Sequence, residues 1–316
     1  MNEMDLPYIG VGTAHVKARD MDSMLRTALL SASVYHIDCA KVYGNEEAVG
    51  TVLKSLFDSG VVSRDQVFLT SKLWNDDHAR VEQACRESLK RLQVDSLDLY
   101  LIHWPRAWRK GTLFCPDDSV SLEDTWRAME ALVDKGLTKR IGLSNFDETN
   151  VKRILRICRI KPYANQLEIH PRLSQPRLVK FNQDNGIRVI AWSPLAKFES
   201  IANDPTLLRL AEKHHRTVCQ IVLRWHYQRG ISTIPRSSKP SRVASNAQIL
   251  DFELSTDDMR EIDNMNKDQR LTRDWIAVFD TTPRFPYKLI DFVVKLLMRA
   301  VFFLPFVRID LKGNPN

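Results

Sequence analysis

From Tyr8 to about Leu250 the chain alternates a short apolar run with an amphipathic helical stretch, and it does so eight times. Strands are expected over 8–12, 34–38, 67–72, 97–103, 139–143, 164–169, 187–192 and 231–234. Helical stretches are expected near 20–31, 45–58, 79–92, 120–136, 147–157, 175–185, 206–214 and 218–229, with one more at 241–248. Eight strands, each followed by a helical segment, is the count that closes a (β/α)8 TIM barrel, and the span matches that fold's usual ~250 residues. Runs such as Val189-Ile190-Ala191-Trp192 are apolar on both faces, as parallel strands covered by helices must be. The competing α/β architecture is an open doubly wound sheet. It lacks its glycine-rich first turn, because Gly10-Val11-Gly12 leads into Thr13-Ala14-His15 and not into a helix-opening glycine.

Composition narrows the class. A 44% apolar fraction in 316 residues supports a sizeable core, and 27% charged residues suit a globular protein in water. The formal net charge is +7, with the excess concentrated in the tail, where six cations face two acids after residue 280. No nucleic-acid motif accompanies that charge, so no nucleic-acid partner is expected. The five cysteines, at 39, 85, 115, 158 and 219, are odd in number and widely spaced. They suit neither a disulfide framework nor a zinc site, so no metal is expected, and they fit a reducing compartment. Met1 to Tyr8 carries no basic-then-apolar secretion pattern. A cytoplasmic monomer is the expectation.

Three successive strands end in chemistry. His36-Ile37-Asp38 ends in a carboxylate and is followed five residues later by Tyr43, in a short turn before a helix. Val67 to Lys72 ends in an amine, and Asp98 to His103 ends in an imidazole. In a closed parallel barrel these ends share the rim where such barrels do chemistry. A tyrosine near its free pKa of ~10 is a poor acid at neutral pH. An ammonium within hydrogen-bond reach favours phenolate and lowers that pKa, a carboxylate keeps the ammonium charged, and an imidazole can orient a substrate oxygen. Asp38, Tyr43, Lys72 and His103 therefore supply the parts of a tuned general acid. Singly, a strand-end Asp is more often a cap or turn former, and a lone Tyr is usually packing. Four complementary groups on adjacent strand ends outweigh those readings.

The blocks HIDCAKVYGNEEAVG, LTSKLW, DLYLIHWP, IGLSNF, NQLEIHP and AWSPLA, in that order over about residues 8–266, resemble the signature blocks of the aldo-keto reductases. The resemblance implies a (β/α)8 barrel that binds extended NADP(H) without a Rossmann unit and reduces aldehydes or ketones, as the prostaglandin F synthase-like members do. It implies that Tyr43 donates the proton, with Lys72 and Asp38 tuning it and His103 orienting the carbonyl. His103 stands where a glutamate marks the branch that reduces steroid carbon–carbon double bonds, so carbonyl reduction is expected.

The same resemblance assigns the cofactor contacts. Ser144, Asn145 and Gln166 would hold the nicotinamide amide, and the ring of Trp192, where tyrosine is commoner, would stack on the nicotinamide. Ser193 and Leu195 would lie beside the pyrophosphate, and Thr13 and Asp38 also fall within the cofactor set. After the eighth strand, Arg236, Ser237, Lys239 and Arg242 crowd a short basic stretch before a helix. Guanidinium forks and a helix N-terminus suit a phosphate dianion. The resemblance points to the 2′-phosphate, with Arg236 in place of a usual lysine, so NADPH is expected over NADH. Asn246 matches an adenine contact, while Ser245 replaces a frequent glutamate. Ala14 replaces a frequent pocket tryptophan, His15 replaces a frequent lysine, and the first hairpin is shortened. These changes leave either a wider pocket than is typical or one filled by Trp74, Trp104 and Trp108; with Trp74, His103 and Trp104 as its expected substrate contacts, it would be mainly apolar and aromatic, suited to aldehydes and ketones with hydrophobic bodies. From another class, the same barrel could hold NADP(H) as a sensor or interaction partner with little turnover.

Two domains are expected: the barrel over 1–280 and an amphipathic extension over 281–316. Residues 288–309 place Lys288, Asp291, Lys295 and Arg299 on one narrow stripe of an otherwise apolar helix. Four charges make it a poor spanning segment. It suits a helix lying in a membrane surface, and equally one packed on the barrel or on another subunit.

Overall fold

Parallel pairing runs unbroken from each strand to the next. The computed structural model describes residues 5–112 and 115–271. Its strands are β1 (Gly10–Gly12), β2 (His36–Asp38), β3 (Phe68–Leu73), β4 (Leu99–Ile102), β5 (Ile141–Ser144), β6 (Ala164–Glu168), β7 (Arg188–Trp192) and β8 (Ile231–Thr233). They pair in chain order, all in parallel. The ring closes where Thr233 bridges Ile9 and donates its amide to the Tyr8 carbonyl at 2.8 Å. The eight-stranded TIM barrel read from the alternation is the fold. Most strands are shorter than their apolar runs, because the outer residues turn into loops before they pair. β3 instead runs one residue further than expected, so Lys72 is its penultimate residue.

Register decides which side chains share the barrel interior. Gly12 pairs with Asp38, Asp38 with Thr70, Lys72 with Leu101, Leu101 with Gly142, Ser144 with Gln166 and Glu168 with Trp192. Side chains alternate along a strand. Asp38, Lys72, His103, Ser144, Gln166 and Trp192 therefore fall on one continuous inner face. Below them Phe68, Leu99, Leu101, Ala164, Ile190 and Ile234 fill the interior as one apolar cluster. Gly142 leaves room for that filling, since a Cβ there would stand 2.6 Å from the Ala164 carbonyl oxygen and 2.8 Å from Leu101 Cδ2.

The helices are α1 (Ala18–Arg26), α2 (Glu46–Asp58), α3 (Val81–Leu92), α4 (Leu122–Asp134), α5 (Glu148–Ile157), α6 (Pro176–Asp184), α7 (Pro205–His214), α8 (Val218–Gln228), α9 (Pro240–Ala247) and α10 (Thr256–Asp263). Their starts are chemically marked: Ser121, Asp147, Asp204 and Thr217 each accept a hydrogen bond from a first-turn amide. α10 was not among the expected helices. Ser255 and Asp258 form a reciprocal capping box there, with aspartate where glutamate or glutamine is usual. The first helix also departs from expectation, because its α-helical part ends at Arg26 and a wider π turn covers Thr27–Ser31. The Thr27 hydroxyl back-bonds to the Ser23 carbonyl, which loosens the ladder at that turn.

The two ends of the described chain sit at opposite ends of the barrel. Asp5 accepts from the Tyr163 hydroxyl at 2.6 Å and pairs with Arg188, at the entry to β6 and the start of β7. At the exit of β6, the buried Glu168 accepts the Leu271 amide at 2.7 Å, and the amides of Lys267 and Gln269 donate to the Arg172 carbonyl. The extension expected over 281–316, with its candidate membrane-surface segment 288–309, lies outside the described residues. Among the described residues no helix is long and apolar enough to cross a membrane.

Candidate active site

Lys72 is the centre of the rim. It is fully buried, and an ammonium has three hydrogens to give and no lone pair. All three are committed: to Asp38 Oδ1 at 2.6 Å, to the Cys39 carbonyl at 2.8 Å and to Tyr43 Oη at 3.2 Å. Because the ammonium can only donate, the Tyr43 oxygen accepts from it, and the phenol's own hydrogen is left for another acceptor. The second oxygen of Asp38 accepts from Gln166 Nε2 at 2.7 Å. Burial, the largest single influence, would depress the Lys72 pKa, but Asp38 and Tyr43 together outweigh it and hold the ammonium above its ordinary range.

Tyr43 corrects one expectation. Burial pushes its phenol above the ordinary range, and the Lys72 ammonium pulls back without reversing the shift. The sequence reading gave the ammonium the larger effect. The group is thus a firmly protonated phenol at neutral pH. His103 is buried, and burial together with the Lys72 charge holds its imidazole well below the usual histidine range. It is neutral, and its Nδ1 is buried with no protein partner. Its ring meets Trp74 edge-on at 5.0 Å and Tyr43 at 6.0 Å.

The Tyr43 turn is held from outside as well. Lys41–Tyr43 form a single 3₁₀ turn whose Gly44 closes it at φ +66°. Lys41 pairs with Asp77, a fully buried carboxylate that Arg80 also binds at 2.7 Å. Asn75 pins the long loop after β4: its side chain donates to the Arg106 carbonyl and its own carbonyl accepts from Trp108, both at 2.8 Å. The Trp108 ring then meets Trp74 edge-on at 5.5 Å. Sequence reading missed Asn75, Lys41 and Asp77. The one available signal was their position, beside Trp74 and Tyr43 in the signature blocks.

The remaining expected residues fall around this core. Thr13 is buried and turns its hydroxyl onto the Asp38 carbonyl at 2.9 Å. Ser144, Asn145 and Trp192 lie together, with Trp192 Nε1 donating to Asn145 Oδ1 at 2.9 Å. Ser193 has φ +48° and begins the loop that carries the half-buried Leu195. Trp104 is half-buried at the start of the β4 loop. Past β8, Ser237 Oγ accepts the Lys239 amide at 3.1 Å, which shapes the entry to α9. Arg236 and Arg242 are exposed and have no carboxylate partner among the described residues, and Arg242 lies inside the first turn of α9. Asn246 is buried on the same helix. Among the described residues no group of three or more His, Cys, Asp or Glu is placed to hold a metal ion.

Comparison with known proteins gives the same picture. The Aldo/keto reductase family profile matches residues 8–267. The chain is 40% identical over 293 residues to aldo-keto reductase family 1 member A1 of Rattus norvegicus, covering 86% of this chain and 90% of that one. It is 41% identical over 272 residues to glyoxal reductase of Bacillus subtilis (strain 168), covering 85% and 92%. The crystal structure of a Bombyx mori aldo-keto reductase in complex with NADP superposes with a TM-score of 0.82 at 34% identity, covering 89% and 95%. With an unbroken barrel, the four rim groups assembled and similarity that runs through nearly the whole described chain, this protein belongs to the aldo/keto reductase family.

Proposed function

We propose that the chain is an NADPH-dependent carbonyl reductase that converts aldehydes or ketones to alcohols, with Tyr43 as the proton donor. The observation that carries the reading is the saturation of Lys72. With its three hydrogens given to Asp38, Cys39 and Tyr43, it fixes the phenol oxygen and leaves one phenolic hydrogen directed elsewhere. A substrate carbonyl oxygen within reach of that hydrogen and of the neutral His103 would be polarised and then protonated.

The residues present fit the cofactor. Ser144 keeps its hydroxyl hydrogen, Gln166 keeps one amide hydrogen, and the Trp192 ring is partly open at the end of β7. Arg236 and Arg242, with no carboxylate to neutralise them among the described residues and a helix N-terminus beside them, suit a phosphate dianion. Thr13, Ser193, Leu195, Ser237 and Asn246 complete the proposed contacts. When bound, NADPH supplies the hydride. The chain supplies the flat ring that orients the nicotinamide, the anion site that favours the phosphorylated cofactor, and the proton. Trp74 and Trp104, with Trp108 behind them, make the substrate wall aromatic, which favours hydrophobic carbonyl compounds. A sensor that held the cofactor without turnover would need no ordered proton donor, so reduction is the better reading.

The test is Tyr43→Phe. It keeps the ring and removes the hydrogen. NADPH should still bind, while NADPH oxidation with a panel of aldehydes should fall by ~10²-fold or more. Unchanged turnover would remove Tyr43 as the acid.

A further inference from the structure

Glu46 is 1% exposed at the first position of α2, just past the Tyr43 turn. Its carboxylate reaches behind the sheet. Lys72 points into the barrel, so its neighbour Ser71 points outward. Ser71 Oγ donates to Glu46 Oε1 at 2.6 Å. Glu46 Oε2 accepts from Ser88 Oγ at 3.2 Å and from Arg91 Nε at 2.8 Å, both on α3. Arg91 Nη2 closes the group by donating to Ser88 Oγ at 3.1 Å. The helix that carries the carboxylate has little room to move, since a Cβ at Gly50 would stand 2.7 Å from the Leu92 carbonyl carbon at the end of α3.

Stability alone does not call for an ion pair behind a strand. Apolar side chains of the same volume avoid the desolvation of a carboxylate and are often no less stable. What the carboxylate adds is direction. Of the three acceptors on Lys72, Asp38 and the Cys39 carbonyl are held by the sheet: Asp38 pairs with Thr70, and the Cys39 amide donates to the Thr70 carbonyl at 2.8 Å. Tyr43 lies beyond the strand on a 3₁₀ turn, and its 3.2 Å bond to Lys72 is the longest of the three. A shift of about half an ångström would take it out of hydrogen-bond range.

We propose that Glu46 is a positioning residue for the proton donor: through Ser71 it fixes the start of α2, and with it the Tyr43 turn, against the strand that carries Lys72. The proposal rests on the reading above that Tyr43 is the acid. Phenol and ammonium are then set by one rigid unit, in which a residue just after the first is bonded to the residue just before the second. Ser88 and Arg91 anchor the same carboxylate to α3, which carries none of the rim groups.

Ser71→Ala and Ser88→Ala each delete one hydroxyl donor to the same carboxylate, so together they separate position from stability. The full-length protein loaded with NADPH is mixed with excess aldehyde, and the first turnover is followed by loss of NADPH absorbance in H2O and in D2O. Both variants should lower the urea midpoint and bind NADPH like the unaltered protein. Ser71→Ala should slow the first turnover by about tenfold, with a larger solvent isotope effect and an unchanged KM for the aldehyde. Ser88→Ala should keep the rate and isotope effect of the unaltered protein. In a Tyr43→Phe background, Ser71→Ala should add no further loss, because it acts through the phenol. Equal rates in the two serine variants, or a Ser71→Ala loss that persists in full beside Tyr43→Phe, would overturn the proposal and leave Tyr43 as the acid. Full turnover by Tyr43→Phe itself would overturn the reading of Tyr43, and this proposal with it.

Discussion

Gln166 on β6 donates to Asp38 on β2 across the mouth of the barrel, 2.7 Å apart in space and 128 residues apart in sequence. One bond thus joins the proposed carboxamide holder to the carboxylate that holds Lys72. Gln166→Leu would leave Asp38 Oδ2 buried without a donor. The expected cost is about 1–3 kcal/mol, the scale for an orphaned buried acceptor, and more if the charge goes uncompensated. Urea unfolding of the two proteins checks it; equal midpoints would mean that water or another donor replaces the amide.

Lys72→Met should be worse for stability and for turnover. Asp38 is 1% exposed, and removing its ammonium leaves a buried charge, a loss of roughly 3–5 kcal/mol. Adding Asp38→Asn removes the stranded charge, so the double variant should recover part of the thermal midpoint and none of the reductase rate. Recovery of rate with midpoint would separate Lys72 from the chemistry.

Acid should destabilise the fold before it titrates the rim. Burial lowers His36 and His78 to about 4 and His226 to about 3, and His103 lies well below 6.5. These groups are depressed in the folded state, so below about pH 6.5 the unfolded chain takes up protons that the folded chain refuses. Their contribution is fully present above that pH and is lost as pH falls, down to about 4 for His36 and His78 and about 3 for His226. Each of these three is expected to cost on the order of 1–2 kcal/mol by pH 5. Denaturant midpoints measured from pH 7.5 to pH 5 should fall steadily. The initial rate of reduction should instead stay level through neutral pH and drop only in the alkaline range, since Tyr43 must keep its proton and its pKa is raised.

Arg236→Ala tests the anion site. The exposed guanidinium pairs with no carboxylate among the described residues, so its removal should leave the fold intact. NADPH should bind about tenfold more weakly, the loss expected for one charge-assisted hydrogen bond, and NADH should be nearly unaffected. An equal loss for both cofactors would move the 2′-phosphate elsewhere.

What could be read without coordinates was local. Strand runs such as Val189 to Trp192 announce themselves by composition, and Asp38, Lys72 and His103 stand at or near the ends of theirs, so barrel and rim followed together. What could not be read depends on closure. Asp38 meets Gln166, and Trp192 meets Asn145, only once distant strands curve into one ring. The direction of the Tyr43 shift was misread for the same reason, since the depth of a side chain is a property of the assembled barrel. α10 was missed because an aspartate, Asp258, closes its capping box. Asn75 was missed because an asparagine beside a tryptophan says nothing of the loop it will fasten.

Asp5 is fastened at the floor of the barrel and Leu271 at its mouth. Attachment chemistry therefore has a direction. A bead or sensor surface coupled beside residue 5 would present the open rim to bulk solution, whereas one coupled at residue 271 would crowd the approach of anything that has to enter.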